Sequence, residues 1–157
     1  MNLTELTTLL TKIRSCRIGI LGDFCLDVYL LLDPSASEPS LETGLSTRPV
    51  RTQRYSLGAA GNVASNLQSM GVGTLRAFGV IGEDPFGREM SQLLTSKGID
   101  MAGLMVQRAQ WDSHVYMKPH EREQEQHRFD FGDFNELHAS TSVSLLDALA
   151  AALPSMT

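Results

Sequence analysis

The chain has 157 residues, 42% of them hydrophobic and 20% charged, which allows one domain with a real core and an ordinary globular surface. Its net charge of −5 and pI near 5.3 argue against nucleic acid or an anionic membrane as the main partner, since both depend on basic surface. No basic segment leading into a long apolar one opens the chain and no 18-residue apolar stretch follows, so a cytoplasmic protein is expected rather than a secreted or membrane-spanning one.

Asn2 and Glu5 form a capping box, and Leu6, Leu9, Leu10 and Ile13 follow on one face of an amphipathic helix. The run from Ile18 to Asp23 reads as a buried parallel strand that delivers Asp23 and Asp27 at its carboxyl end, where open α/β sheets place ligands. Cys16 and Cys25 flank that strand, and in a chain of this size they are expected as reduced core thiols. Between Val28 and Tyr55, Asp33-Pro34, Glu38-Pro39-Ser40 and Arg48-Pro49 interrupt extended apolar pieces, so strands and turns are predicted there.

A helix is predicted over Asn62 to Met70, with Val63, Leu67 and Met70 inward and Gly71 at its end. Leu75 to Ile81 reads as a strand. Asp84-Pro85 then caps and opens a helix that buries Phe86, Met90, Leu93 and Leu94 and stops at Gly98. A second extended segment spans Val106 to Phe134, with His114–Lys118 and Arg128–Phe131 as a hairpin around the polar Glu121–His127 turn. Val143, Leu146, Leu149, Ala150 and Leu153 mark a final amphipathic helix that Pro154 stops, and no sequence remains for the strand it would feed. This order describes an α/β, doubly wound core with a small β excursion, and no internal repeat or low-complexity tract is present.

The run Ser56-Leu57-Gly58-Ala59-Ala60-Gly61-Asn62-Val63-Ala64-Ser65-Asn66, downstream of Gly22-Asp23-Phe24-Cys25-Leu26-Asp27, carries the functional signal. Small residues let backbone approach a ligand closely, and an Asn just after them offers a donor and an acceptor to a diol. At these residues, from about Arg17 to Asp100, the chain resembles the N-terminal half of the ribokinase/PfkB carbohydrate kinases, and within them most resembles the kinases of heptose phosphates and related sugar phosphates. The resemblance implies an incomplete ribokinase-like, Rossmann-type sheet, one partial domain over residues 1–157, with lid segments at about 28–56 and 106–134. It also implies that Asp27 and Asn62 bind sugar hydroxyls while Gly58, Ala59, Ala60 and Gly61 let the sugar lie against backbone.

This chain departs from the family where Gly58-Ala59 replaces paired glycines and where one extra residue sits between Gly71 and Gly82. The Ala59 methyl is tolerated at low cost only if the backbone there does not need a positive φ. The family's late Asp-Thr-x-Gly-Ala-Gly-Asp signature, which supplies the anion hole and catalytic base, is not in this sequence, and neither is a Walker-type loop. The resemblance therefore implies ATP and Mg²⁺ as cofactors of a complete enzyme, held by residues outside this sequence, with no catalytic residue here. It also implies a sugar or sugar phosphate as substrate, and a homodimer through the lid strands. The alternative is a noncatalytic kinase-like interaction or dimerisation module.

On pattern alone, Asp27 also reads as an exposed turn residue, Asn62 as a helix N-cap, Asp23 as a turn cap and Asn66 as solvent-facing. Among the lid cations, Lys118 and Arg128 sit inside strand-like runs and are the candidates for holding a phosphate. His114, His120, His127 and His138 lack the spacing of a zinc site and read as surface residues. Trp111 reads equally as a sugar-stacking ring or as core packing at a junction.

Overall fold

In a computed structural model of the chain, which describes residues 2–156, Asn2 and Glu5 close both arms of the capping box at the start of α1 (Leu3–Ile13). The apolar face of α1 nevertheless packs on little, and Leu6, Leu9 and Leu10 are all exposed. The chain then enters β1 (Arg17–Leu21) and, after a bend at residues 22–23, β2 (Phe24–Leu32). Asp27 therefore lies inside β2 and not at the carboxyl end of the preceding strand. A turn of 3-10 helix and a polar loop lead to β3 (Val50–Gly58), which pairs antiparallel with β2.

Helix α2 runs from Ala59 to Ser69, three residues earlier than the apolar spacing suggests. Its buried face is Gly61 and Ala64, while Val63 and Met70 are exposed. Small residues face inward because the helix approaches β3 closely: a Cβ on Gly61 would lie 3.0 Å from the Leu57 Cβ. β4 (Thr74–Gly82) follows, then α3 (Pro85–Ser96), whose Asp84 cap accepts from the amides of Phe86 and Gly87 at 2.8 Å each. β5 (Asp100–Gln107) completes a parallel sheet of order β1-β4-β5. The predicted hairpin forms, with β6 (His114–Glu121) antiparallel to the short β7 (Gln124–Glu125) and to β8 (Phe129–Phe131). β6 also runs parallel to β2, giving a second, five-stranded sheet.

Alternation in β2 joins the two sheets. Phe24, Leu26 and Val28 enter one hydrophobic cluster with Ile20, Leu57, Ala64, Ala77, Met90, Leu94 and Val115. On the other face of β4, Phe78 fits only because its strand neighbours lack side chains. A Cβ on Gly103 would lie 2.2 Å from the ring, and one on Gly19 3.0 Å from it. Helix α4 (Ala139–Ala152) packs against β4 and β5 and buries Ala152, whereas Val143, Leu146 and Leu153, expected inward, are exposed.

The crossings between the two sheets are tied by side chains. Gln107, only 3% exposed, donates to the carbonyls of Ala109 and Glu136 at 2.9 and 2.8 Å and accepts from the His138 amide at 3.0 Å. Asn135 exchanges two 2.8 Å bonds with the backbone of Asp112. Replacing Gln107 with Leu takes away the side-chain partner of three backbone groups, and urea unfolding is expected to show a loss of about 1–3 kcal/mol. An unchanged unfolding midpoint would contradict this account of the crossing.

Candidate functional site

Strand pairing sets the site, because residues opposite one another on neighbouring strands share a face. Cys25, Asp27 and Tyr29 of β2 lie opposite Gly58, Ser56 and Arg54 of β3 on one side and His114, Tyr116 and Lys118 of β6 on the other. β8 adds Asp130 opposite Tyr116. The five-stranded sheet thus turns an apolar face to the core and a polar, aromatic face away from it.

At the centre of the polar face the Lys118 Nζ donates to the Asp27 Oδ1 at 2.6 Å, and the two side chains are only 19% and 20% exposed. Burial opposes the lysine's charge, but the hydrogen bond to Asp27 and the field of its carboxylate prevail and raise its pKa. The Lys118 ammonium also lies 5.2 Å from the centre of the Tyr29 ring, and the Arg54 guanidinium lies 5.6 Å from the same ring.

Side chains crowd Gly58. A Cβ at that position would lie 2.4 Å from the Cys25 Sγ and 3.0 Å from the Asp27 Oδ2. Burial, aided by the Asp27 carboxylate and opposed by Lys118, pushes the Cys25 thiol up to about 11. Ala59 adopts φ +45°, so the position does need the left-handed backbone and its methyl is strained. The Ala60 amide donates to the Asp23 carbonyl at 3.0 Å, while a Cβ on Gly22 would lie 3.2 Å from the Ala60 Cβ. These contacts fasten the start of α2 to the bend between β1 and β2.

Asn62 sits in the first turn of α2, exposed and without a hydrogen bond among the described residues. It is not the N-cap, which is Gly58. Asp23 is exposed at the bend. Asp27, Gly58 and Lys118 meet directly, whereas Arg128 is engaged elsewhere: it grips Asp130 through two 2.6 Å bonds and lies 4.5 Å over the Tyr116 ring. Its hydrogen bond to Asp130 raises its pKa further. Tyr29 and Tyr116 also belong to this face, as does Arg54, a cation of the predicted extended segment between Val28 and Tyr55. The two-residue period around Asp27 finds Tyr29, whereas Arg54 and Tyr116 need the cross-strand register. Trp111 meets His114 edge-on at 5.8 Å, with its Nε1 buried and lacking a partner among the described residues.

A profile described as pfkB family carbohydrate kinase matches residues 24–152. The chain is 34% identical over 104 residues to the bifunctional protein HldE of Geotalea uraniireducens, a match covering 66% of this chain and 21% of that protein. A carbohydrate kinase from Agrobacterium tumefaciens superimposes with TM-score 0.56 at 16% identity over 73% of this chain and 35% of its own. Ribokinase from Thermotoga maritima does so with TM-score 0.54 at 19% identity, over 74% and 36%. The chain thus spans about a fifth of the length of the curated relative and just over a third of these structural neighbours.

Two outcomes follow from the site's geometry. Ala59→Gly removes the left-handed strain and is expected to raise stability by roughly 0.5–1 kcal/mol in urea unfolding, where a loss would show that the methyl has a packing role. Stability is also expected to fall as pH rises. Lys118 contributes fully below its ordinary 10.5 and loses that contribution as pH passes its raised folded value, while the neutral Cys25 thiol favours the fold until pH climbs from 9.0 through about 11. Unfolding measured across that window should show Cys25→Ala with a shallower decline than the natural chain, and equal slopes would contradict the assignment.

Proposed function

Because this chain belongs to the pfkB family of carbohydrate kinases, we propose that it is the sugar-binding and lid portion of an ATP-dependent kinase. Such an enzyme passes the γ-phosphoryl of ATP to a hydroxyl of a sugar or sugar phosphate. One observation carries the reading. The lid sheet sets the Asp27 carboxylate against the bare backbone of Gly58, at the root of the helix whose first turn presents Asn62. A carboxylate acceptor, an amide side chain and a close backbone are what a diol needs. The likeness of the run from Ser56 to Asn66 to the kinases of heptose phosphates supports a sugar or sugar phosphate as the substrate class.

The residues present do not fit ATP and its magnesium ion. The sequence has no Gly-Ala-Gly-Asp run and no Walker loop, and among the described residues no group of three or more His, Cys, Asp or Glu could hold a metal. The chain's part is alignment of the sugar, and by itself it should bind sugars weakly and not turn over. No helix among the described residues is long and apolar enough to cross a membrane.

A noncatalytic module that dimerises through its lid strands is the second reading. It is favoured by the outer edge of β3, which ends the lid sheet, and by exposed apolar residues on α1 and α4.

Asn62→Ala and Asp27→Asn are each expected to weaken sugar binding roughly ten- to a hundredfold, the equivalent of about 1–3 kcal/mol. The measurement is amide chemical-shift titration of the isotope-labelled chain, with Asn62→Ala leaving the melting temperature nearly unchanged because Asn62 caps nothing. Unchanged sugar affinity in both variants would remove these residues from the site.

A further inference from the structure

Lys118 stands in the one place on the lid face where a cation and a carboxylate are both largely buried. Its Nζ lies 2.6 Å from the Asp27 Oδ1, its neighbour across the strands is Tyr29, and its side chain is 19% exposed. A lysine so placed brings little free charge to a ligand, because the Asp27 carboxylate already answers it. The other oxygen, Asp27 Oδ2, faces the bare Gly58 backbone and has no hydrogen bond among the described residues. One carboxylate oxygen is thus fixed and the other left to accept.

We propose that Lys118 is a positioning residue for Asp27, holding Oδ1 so that Oδ2 is presented to a sugar hydroxyl, and that it is not a ligand for a substrate phosphate. The inference rests on the proposed sugar reading and deepens it by dividing the labour between the two side chains. A flexible carboxylate would give up rotamer freedom on binding each sugar. The bond to Lys118, made once on folding, removes that loss whatever group the sugar carries elsewhere. Lys118 should therefore matter equally for a neutral sugar and for its phosphate ester, whereas a phosphate ligand would matter for the ester alone.

The test is ligand-observed NMR with D-mannose and D-mannose 6-phosphate on the natural chain, Asp27→Asn, Lys118→Met and Lys118→Arg, alongside thermal unfolding of the same proteins and of the Asp27→Asn/Lys118→Met double variant. Lys118→Met is expected to weaken both sugars by the same factor, on the order of five- to tenfold, with Lys118→Arg recovering most of it. In unfolding, Lys118→Met should lower the melting temperature by several degrees, and the added Asp27→Asn should restore most of that drop, since it removes the orphaned charge.

Loss confined to the phosphate ester, or no loss for either sugar, overturns the inference while Asp27→Asn still weakens both. Additive melting shifts in the double variant overturn it by showing that the pair is not coupled. If the natural chain binds neither sugar although the coupling is intact, the sugar reading itself fails, and the positioning role fails with it.

Discussion

Everything at the candidate site depends on one strand having to satisfy two environments at once. β2 sends Phe24, Leu26 and Val28 into the core and Cys25, Asp27 and Tyr29 to the opposite face. A slip of one residue would exchange the two sets and bury a carboxylate among leucines. Burial of three large apolar side chains, each favourable by about 1.5–3 kcal/mol, therefore fixes where Asp27 points. The parallel partner β6 follows the same logic, with Val115 fully buried and Lys118 on the polar side. The Asp27–Lys118 bond is a consequence of packing on the other face.

The second constraint is at the root of α2, where backbone and side chains compete for the same space. Gly58 leaves room for the Cys25 sulfur and the Asp27 carboxylate, and Gly61 lets the helix lie on Leu57. Between them Ala59 keeps a left-handed φ of +45° despite its methyl. A conformation of that kind persists only when its surroundings over-determine it. Here the Ala60–Asp23 hydrogen bond and the Gly22–Ala60 approach do so.

Much of this was legible from sequence where a local signal and the tertiary outcome agree. The Asn2–Glu5 box, the Asp84-Pro85 start and the β6–β8 hairpin are strong local chemistry, and each is found where the residues place it. The start of α2 was not, because Gly58 to Gly61 is poor helix sequence and only the close approach to β3 makes those small residues the right ones. Gly22-Asp23 reads as a turn, which puts Asp27 at the end of the preceding strand. The chain does bend there, but it re-enters a sheet at once. The inward face of α4 was not legible either, since leucine, alanine and valine occur around the whole helix and periodicity cannot choose among them. Arg54 and Tyr116 join Asp27 only through cross-strand register, which no single-strand pattern contains.

The proposed sugar surface joins the polar face of the five-stranded sheet to the first turn of α2. It is put to the test by a crystal structure of the chain grown with a bound sugar or sugar phosphate. Sugar hydroxyls are expected within hydrogen-bond distance of the Asp27 Oδ2 and the Asn62 side chain, with the ring lying along the backbone of residues 58–61. A sugar seated away from both side chains, with the Asp27–Lys118 bond and the Asn62 side chain untouched, would contradict it.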